Sequence, residues 1–153
     1  MSIEQRLREL NVKLPVLTVN KAPFDLGVIA ENMVYLSGQT PTVNGELKYT
    51  GTVGSTISIE EAKEAAVLCT LNLLAALKTL IPDLNHVQRI VKVNGYVASE
   101  KDFHEQPQVI NAASRLLNDI FGPENSHARA AVGTAALPGG AAVEIEMIVQ
   151  LKN

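Results

Sequence analysis

Arg129 sits in a run of small and β-branched residues, Ala128, Ala130, Ala131 and Val132, and no other Lys or Arg lies between Arg115 and Lys152. Such a run reads as a buried or half-buried strand. A guanidinium there that lacks its partner costs about 3–5 kcal/mol. Two solutions are open. Glu144 or Glu146 downstream can pair with it, or a ligand can bring a carboxylate, which arginine grips through two parallel hydrogen bonds. If the strands carrying Arg129 and Glu144 pair as a C-terminal hairpin, both side chains project from one face. Sequence leaves Glu144 and Glu146 equal, because alternate residues of a strand share a face. An ion pair stapling two strands is the plain alternative to an anion site.

Other reactive side chains are sparse. His86, His104 and His127 are scattered without metal-ligand spacing, so no metal site is expected. His127 neighbours Arg129 and can reach the rim of an anion site there. Cys69 falls on an apolar helical stripe and reads as a core residue. Leu137-Pro138-Gly139-Gly140 lacks the lysine and helix of a phosphate loop.

These groups must be held by elements whose signals are strong. Ser2-x-x-Gln5 is a capping box ahead of Ile3, Leu7 and Leu10, which predicts a short N-terminal helix able to cap a sheet edge or extend an oligomer rim. Pro15 and Pro23 keep the next stretch extended. Leu26–Ala30 and Val34–Leu36 alternate around Glu31-Asn32 as a β-hairpin, and a polar loop from Gln39 to Val53 turns at Asn44-Gly45. Ser58-x-x-Glu61 opens the longest helix, which ends before Pro82. Its stripe runs through Ala62, Ala65, Cys69, Leu73 and Leu77. Arg89–Ala98 is a strand, with Val91 and Val93 expected on one face and Ile90 on the other. Pro107 suits the first turn of another helix, stopped by Gly122-Pro123. Ala128–Thr134 and Ala141–Leu151 are the last two strands. The order ββαβαββ makes an α+β domain over residues 1–153, with two long helices on one face of one mixed sheet.

Composition narrows the partners. With 46% apolar and only 19% charged residues, a chain of 153 residues has core to spare, and its second sheet face suits a subunit interface. The net charge of −3 and the lack of a basic stretch disfavour nucleic acid as a partner. No apolar run is long enough to span a bilayer. Met1–Leu10 is charged and has no apolar signal core. Together with a lone cysteine, this makes a reducing cytoplasm the expected compartment.

Several segments together resemble the RidA family (YjgF/YER057c/UK114 proteins). They are Ala22-Pro23, Leu36-Ser37-Gly38-Gln39-Thr40-Pro41, Ile110-Asn111-Ala112, Ala128-Arg129 and Val143-Glu144-Ile145-Glu146, in that order. The resemblance runs from about Val19 to Lys152 and leaves residues 1–18 as an N-terminal extension. It implies a chorismate-mutase-like fold and a homotrimer with clefts between subunits. The implied activity is hydrolysis of enamine and imine intermediates to 2-oxo acids and ammonia, without metal or organic cofactor. In that frame Arg129 binds the substrate carboxylate, Glu144 holds or activates the attacking water, and Phe24, Ser37, Gly38, Asn111 and Ala131 line the cleft. The chain departs from the family pattern at three places. Ala131 replaces a frequent cysteine, Phe24 replaces an aromatic hydroxyl, and Ser126-His127 replaces an apolar residue and proline. These departures keep a second function in view, a non-catalytic protein that binds a small carboxylate in the same cleft. RNA cleavage or translation inhibition ranks third, against the acidic charge.

Overall fold

Both serines at the expected helix starts act as N-caps in the computed structural model of the chain, which describes residues 1–18 and 21–153. Ser2 Oγ accepts from the Gln5 amide and starts α1 (Ile3–Glu9). Ser58 and Glu61 satisfy each other's orphan backbone donors and start α2 (Ile59–Leu80). Pro107 lies in the first turn of α3 (Gln106–Phe121), and Gly122, with φ of 93°, ends it. The stretch held between Pro15 and Pro23 includes Val19 and Asn20, which lie outside the described residues.

α1 docks on the helix layer instead of capping a sheet edge. Leu7 is buried, the Ile3 amide donates to Asn85 Oδ1, and Arg6 Nε donates to the Asp119 carbonyl of α3. α2 buries nearly its whole middle, and two buried polar residues satisfy most of their groups locally. Thr70 donates to the Ala66 carbonyl, while Asn72 Nδ2 donates to the carbonyls of Thr40 and Thr42. Asn72 thereby ties the polar loop to the core. That loop also forms a small ribbon, β3 (Thr42–Val43) with β4 (Glu46–Leu47), around Asn44-Gly45, both at positive φ.

Five longer strands make the main sheet: β1 (Gly27–Ala30), β2 (Met33–Gln39), β5 (Val87–Ala98), β6 (Ala128–Thr134) and β7 (Val143–Leu151). Their order is β1-β2-β7-β5-β6, with β5 and β6 parallel and the other pairs antiparallel. The expected β1–β2 hairpin forms around Glu31-Asn32. The expected C-terminal hairpin does not, because β5 lies between β6 and β7. The crossover helix decides this. α3 returns the chain to run parallel beside β5, so the short link from Thr134 to Val143 must cross the end of β5 to reach its other edge. Hydrogen bonds from Ser99 to the Thr134 carbonyl and from Ala98 to the Ala142 carbonyl hold that crossing.

The helix-facing side of the sheet supplies Val34, Leu36, Ile90, Val93, Val97 and the buried positions of β7 to the core. Ile90 and Val93 share that side because the register slips between Ile90 and Lys92, leaving Val91 as the extra residue of a bulge. Simple alternation, which put Val91 there, fails at that point. Gly95 sits beneath Ile110 of α3, and a Cβ at Gly95 would come 2.5 Å from Ile110 Cδ1. That close approach brings α3 down against β5 and β6.

Candidate functional site: two half-sites on opposite faces of the sheet

Register places the two groups singled out by sequence on opposite faces. Arg129 pairs with Val93, which pairs with buried Met147, so Arg129 points toward the helix layer. Glu144 pairs with Tyr96 and alternates with buried Val143 and Ile145, so it points to the uncovered face. The expectation that Arg129 and Glu144 share a face and adjacent strands is corrected by the parallel β5–β6 pair between them.

The cationic half lies where edge strand β6 meets α3. Arg129 is half-buried, and its Nη1 donates to Asn111 Oδ1 at 2.7 Å and to Ser114 Oγ at 3.3 Å. Asn111 and Ser114 are three residues apart and so share one face of α3. His127 Nε2 lies 2.9 Å from Ser114 Oγ. Burial, and then the Arg129 charge, hold His127 below the ordinary histidine value. Ala131, two residues along β6, shares the Arg129 face. Among the described residues no carboxylate comes within 4.0 Å of Arg129. Its hydrogen bonds are to neutral groups, which orient the charge without cancelling it.

The acidic half lies on β2 and β7. Ser37 and Gly38 form a bulge, standing together where the register slips between Leu36–Met147 and Gln39–Ile145. A Cβ on Gly38 would fall 3.0 Å from Glu144 Oε1, so the carboxylate lies directly against the bulge backbone. Glu144 and Glu146, equal in the sequence, differ in their surroundings. Glu146 accepts from the Tyr96 hydroxyl at 2.7 Å and from Asn94 Nδ2 at 3.3 Å. Glu144 receives no side-chain hydrogen bond among the described residues. Burial, and then the Glu146 charge, push it above the ordinary carboxylate value.

The remaining lining residues divide between the halves. Asn111 and Ala131 belong with Arg129, while Ser37 and Gly38 belong with Glu144. Ser37 is less available than its type suggests, since its amide donates to the Leu26 carbonyl and its hydroxyl to the Asp25 carbonyl. Exposed Phe24 begins that same segment and lines a cavity of about 340 Å³ with Thr79 and Leu80 of α2. Ser114 was not singled out by sequence, although its spacing of three from Asn111 was the available signal. Cys69 is buried, with Sγ 3.6 Å from the Val143 carbonyl, and burial pushes its thiol well up, as a core residue requires. Among the described residues no cluster of three potential metal ligands occurs, and no helix is long and apolar enough to cross a membrane.

Chemically, one half can orient an anion and the other can hold or move a proton. Within one chain the sheet separates them.

Comparison with known proteins accounts for nearly the whole chain. Residues 4–151 match the family model described as "YjgF/chorismate_mutase-like, putative endoribonuclease", a match that takes in α1 as well as the segments quoted from the sequence. Protein TCP17 of Trypanosoma cruzi is 36% identical over 152 residues, spanning 99% of this chain and 95% of TCP17. The crystal structure of Atu1372 from Agrobacterium tumefaciens, a protein of unknown function, is 44% identical with a TM-score of 0.90, covering 98% of this chain and 92% of that one. RidA from an Antarctic Psychrobacter is 27% identical with a TM-score of 0.63, covering 91% of this chain and 94% of that one. The extent of these matches, over an α+β fold with this strand order, makes the chain a member of the YjgF/RidA family.

Proposed function

We propose that this protein hydrolyses reactive enamine and imine forms of 2-oxo acids to the 2-oxo acid and ammonia, in clefts between the subunits of a cytoplasmic homotrimer and without a metal or organic cofactor. The observation that carries the reading is Arg129, a half-buried cation held in place by neutral acceptors and without a carboxylate partner among the described residues. An imine beside a carboxylate is already electrophilic, so the protein has little covalent work to do. Arg129 grips the carboxylate and fixes the imine carbon. Glu144 takes a proton from the attacking water, which adds to that carbon. Returning that proton to nitrogen gives a carbinolamine, and passing its hydroxyl proton to the same nitrogen lets ammonia leave as the carbonyl forms. The raised Glu144 is suited to both transfers.

The separation of the two halves supports a shared site. A second copy can set its Glu144 and Gly38 near the Arg129 of the first, at edge strand β6, whose outer side has no partner strand among the described residues. Exposed Val28, Tyr35 and Val132 on the sheet are apolar surface that such packing would cover. A complementation assay tests the reading. Arg129→Ala and Glu144→Gln are each expected to lower turnover of 2-iminobutanoate generated in situ about 10²-fold or more. Co-expression of the two variants should restore activity in about a quarter of the clefts on random mixing. An Arg129→Ala protein as active as the parent would end the proposal.

A carrier or sensor of small carboxylates is the second reading, favoured by Ala131, which leaves the cleft without a thiol. It predicts saturable 2-oxo acid binding through Arg129 with no turnover. RNA cleavage is disfavoured by the charge of −3 and by two carboxylates on the open face, which repel phosphate.

A further inference from the structure

We propose that Ser114 and His127 are positioning residues for Arg129, and that capture of a carboxylate by Arg129 draws a proton onto His127. The inference rests on reading Arg129 as the carboxylate site and deepens it. An arginine N–H can only donate, so Ser114 Oγ accepts from Arg129 Nη1. The Ser114 hydroxyl hydrogen is then free to point at His127 Nε2, 2.9 Å away. That arrangement requires a bare Nε2, and so a neutral ring carrying its proton on Nδ1. The chain Arg129 to Ser114 to His127 therefore runs in one direction, and together with Asn111 it fixes one edge of the guanidinium fork. The other edge is left for a ligand.

Protonating His127 in the free protein works against this chain. It places a second donor on Ser114 Oγ and a second positive charge beside Arg129. The elements packed around the ring offer little relief. α3 carries Arg115 and Asp119, and β5 carries Lys92 together with Arg89, which donates to the Ser126 carbonyl. Glu124 lies in the turn before β6. Of these charged groups and Arg129, it is Arg129 that acts on the ring, alongside burial, and both favour the neutral form. An arriving carboxylate neutralises Arg129 and removes that repulsion. Linkage then requires the reverse effect. Anion affinity must rise as the pH falls through a window whose lower end is the His127 midpoint of the free protein, itself below the ordinary histidine value.

The histidine ring signals, followed by NMR through a pH titration, test this with and without pyruvate as the probe. In the ligand-free protein Arg129→Gln should raise the His127 midpoint, whereas Arg129→Lys, which keeps the charge, should leave it low. Saturating pyruvate should raise the midpoint of the parent protein. His127→Gln should flatten the pH dependence of pyruvate affinity in that window. Ser114→Ala should weaken pyruvate binding about fivefold and raise KM with kcat retained. An unchanged His127 midpoint in Arg129→Gln overturns the relay without reference to any ligand. Pyruvate that shifts the Gly38 amide but not the His127 midpoint overturns the coupling and leaves the carboxylate site standing. Pyruvate that shifts neither overturns both.

Discussion

The cationic and acidic halves face one physical problem, a charge taken partly out of water, and answer it in opposite ways. Arg129 is given neutral acceptors, Asn111 and Ser114, that hold its fork in a fixed direction. Among the described residues Glu144 is given no side-chain donor, and it has Glu146 as a like-charged neighbour. An arginine stays charged through any reasonable pH, so orienting it yields a permanent anion receptor. A carboxylate that is partly buried beside a like charge moves its proton equilibrium toward neutrality, which suits the proton transfers proposed for it. Adjacent Glu146 accepts from Tyr96 and Asn94, so two carboxylates on one strand face are held differently.

The contrast is open to attack from its strongest consequence downward. Glu144→Gln should lower kcat about 10²- to 10⁴-fold, the usual range for removing a general acid–base group. It should also stabilise the protein at neutral pH in thermal or denaturant unfolding. The fold holds Glu144 above its ordinary value, so it favours the protonated form. The associated stability is complete below the unfolded carboxylate value and is lost as pH rises through the folded one. Glutamine mimics the protonated form, so its advantage should shrink on acidification. A variant that loses both activity and stability would break the comparison.

Arg129→Ala should lower kcat/KM about 10²-fold or more, because two charge-assisted bonds to the substrate carboxylate contribute about 1.5–3 kcal/mol each. Gly95→Val tests the support beneath the cationic half. A side chain there drives into Ile110, should cost about 1–3 kcal/mol in denaturant unfolding, and should weaken 2-oxo acid binding by displacing Asn111 and Ser114. Glu146→Gln is expected to be mildest, changing kcat by less than about threefold. Removing its charge should let Glu144 fall toward its ordinary value, moving the acid limb of the pH–rate profile downward. An unmoved limb would mean that burial alone governs Glu144.

Much of the scaffold could be read before any coordinates. The serine caps of α1 and α2, the Pro107 start and Gly122 stop of α3, and the tight turn at Asn44-Gly45 all depend on a few neighbouring residues and form as expected. The box at Ser2 is half made, with the Gln5 amide bonded and no return bond from its side chain among the described residues. Alternation failed at Val91, because a bulge inserts one residue without any change in residue type to announce it. The pairing of β6 with β7 was misread because a short link between two strands implies a hairpin, and nothing local reports that α3 has already placed β6 beside β5. His127 was noticed for its nearness to Arg129, yet Ser114, which joins them, comes from a helix turn thirteen residues earlier.

Sequence by itself determined the helices, their caps, the first hairpin, the apolar stripes and the identity of an isolated arginine in an apolar strand, because each is set by contacts within a few residues. Only the tertiary structure decided that β5 separates Arg129 from Glu144, that the two face opposite ways, and that Glu144 rather than Glu146 is left unheld. Those outcomes follow from strand order and register, which are set by how distant segments share one core, and no local spacing encodes them.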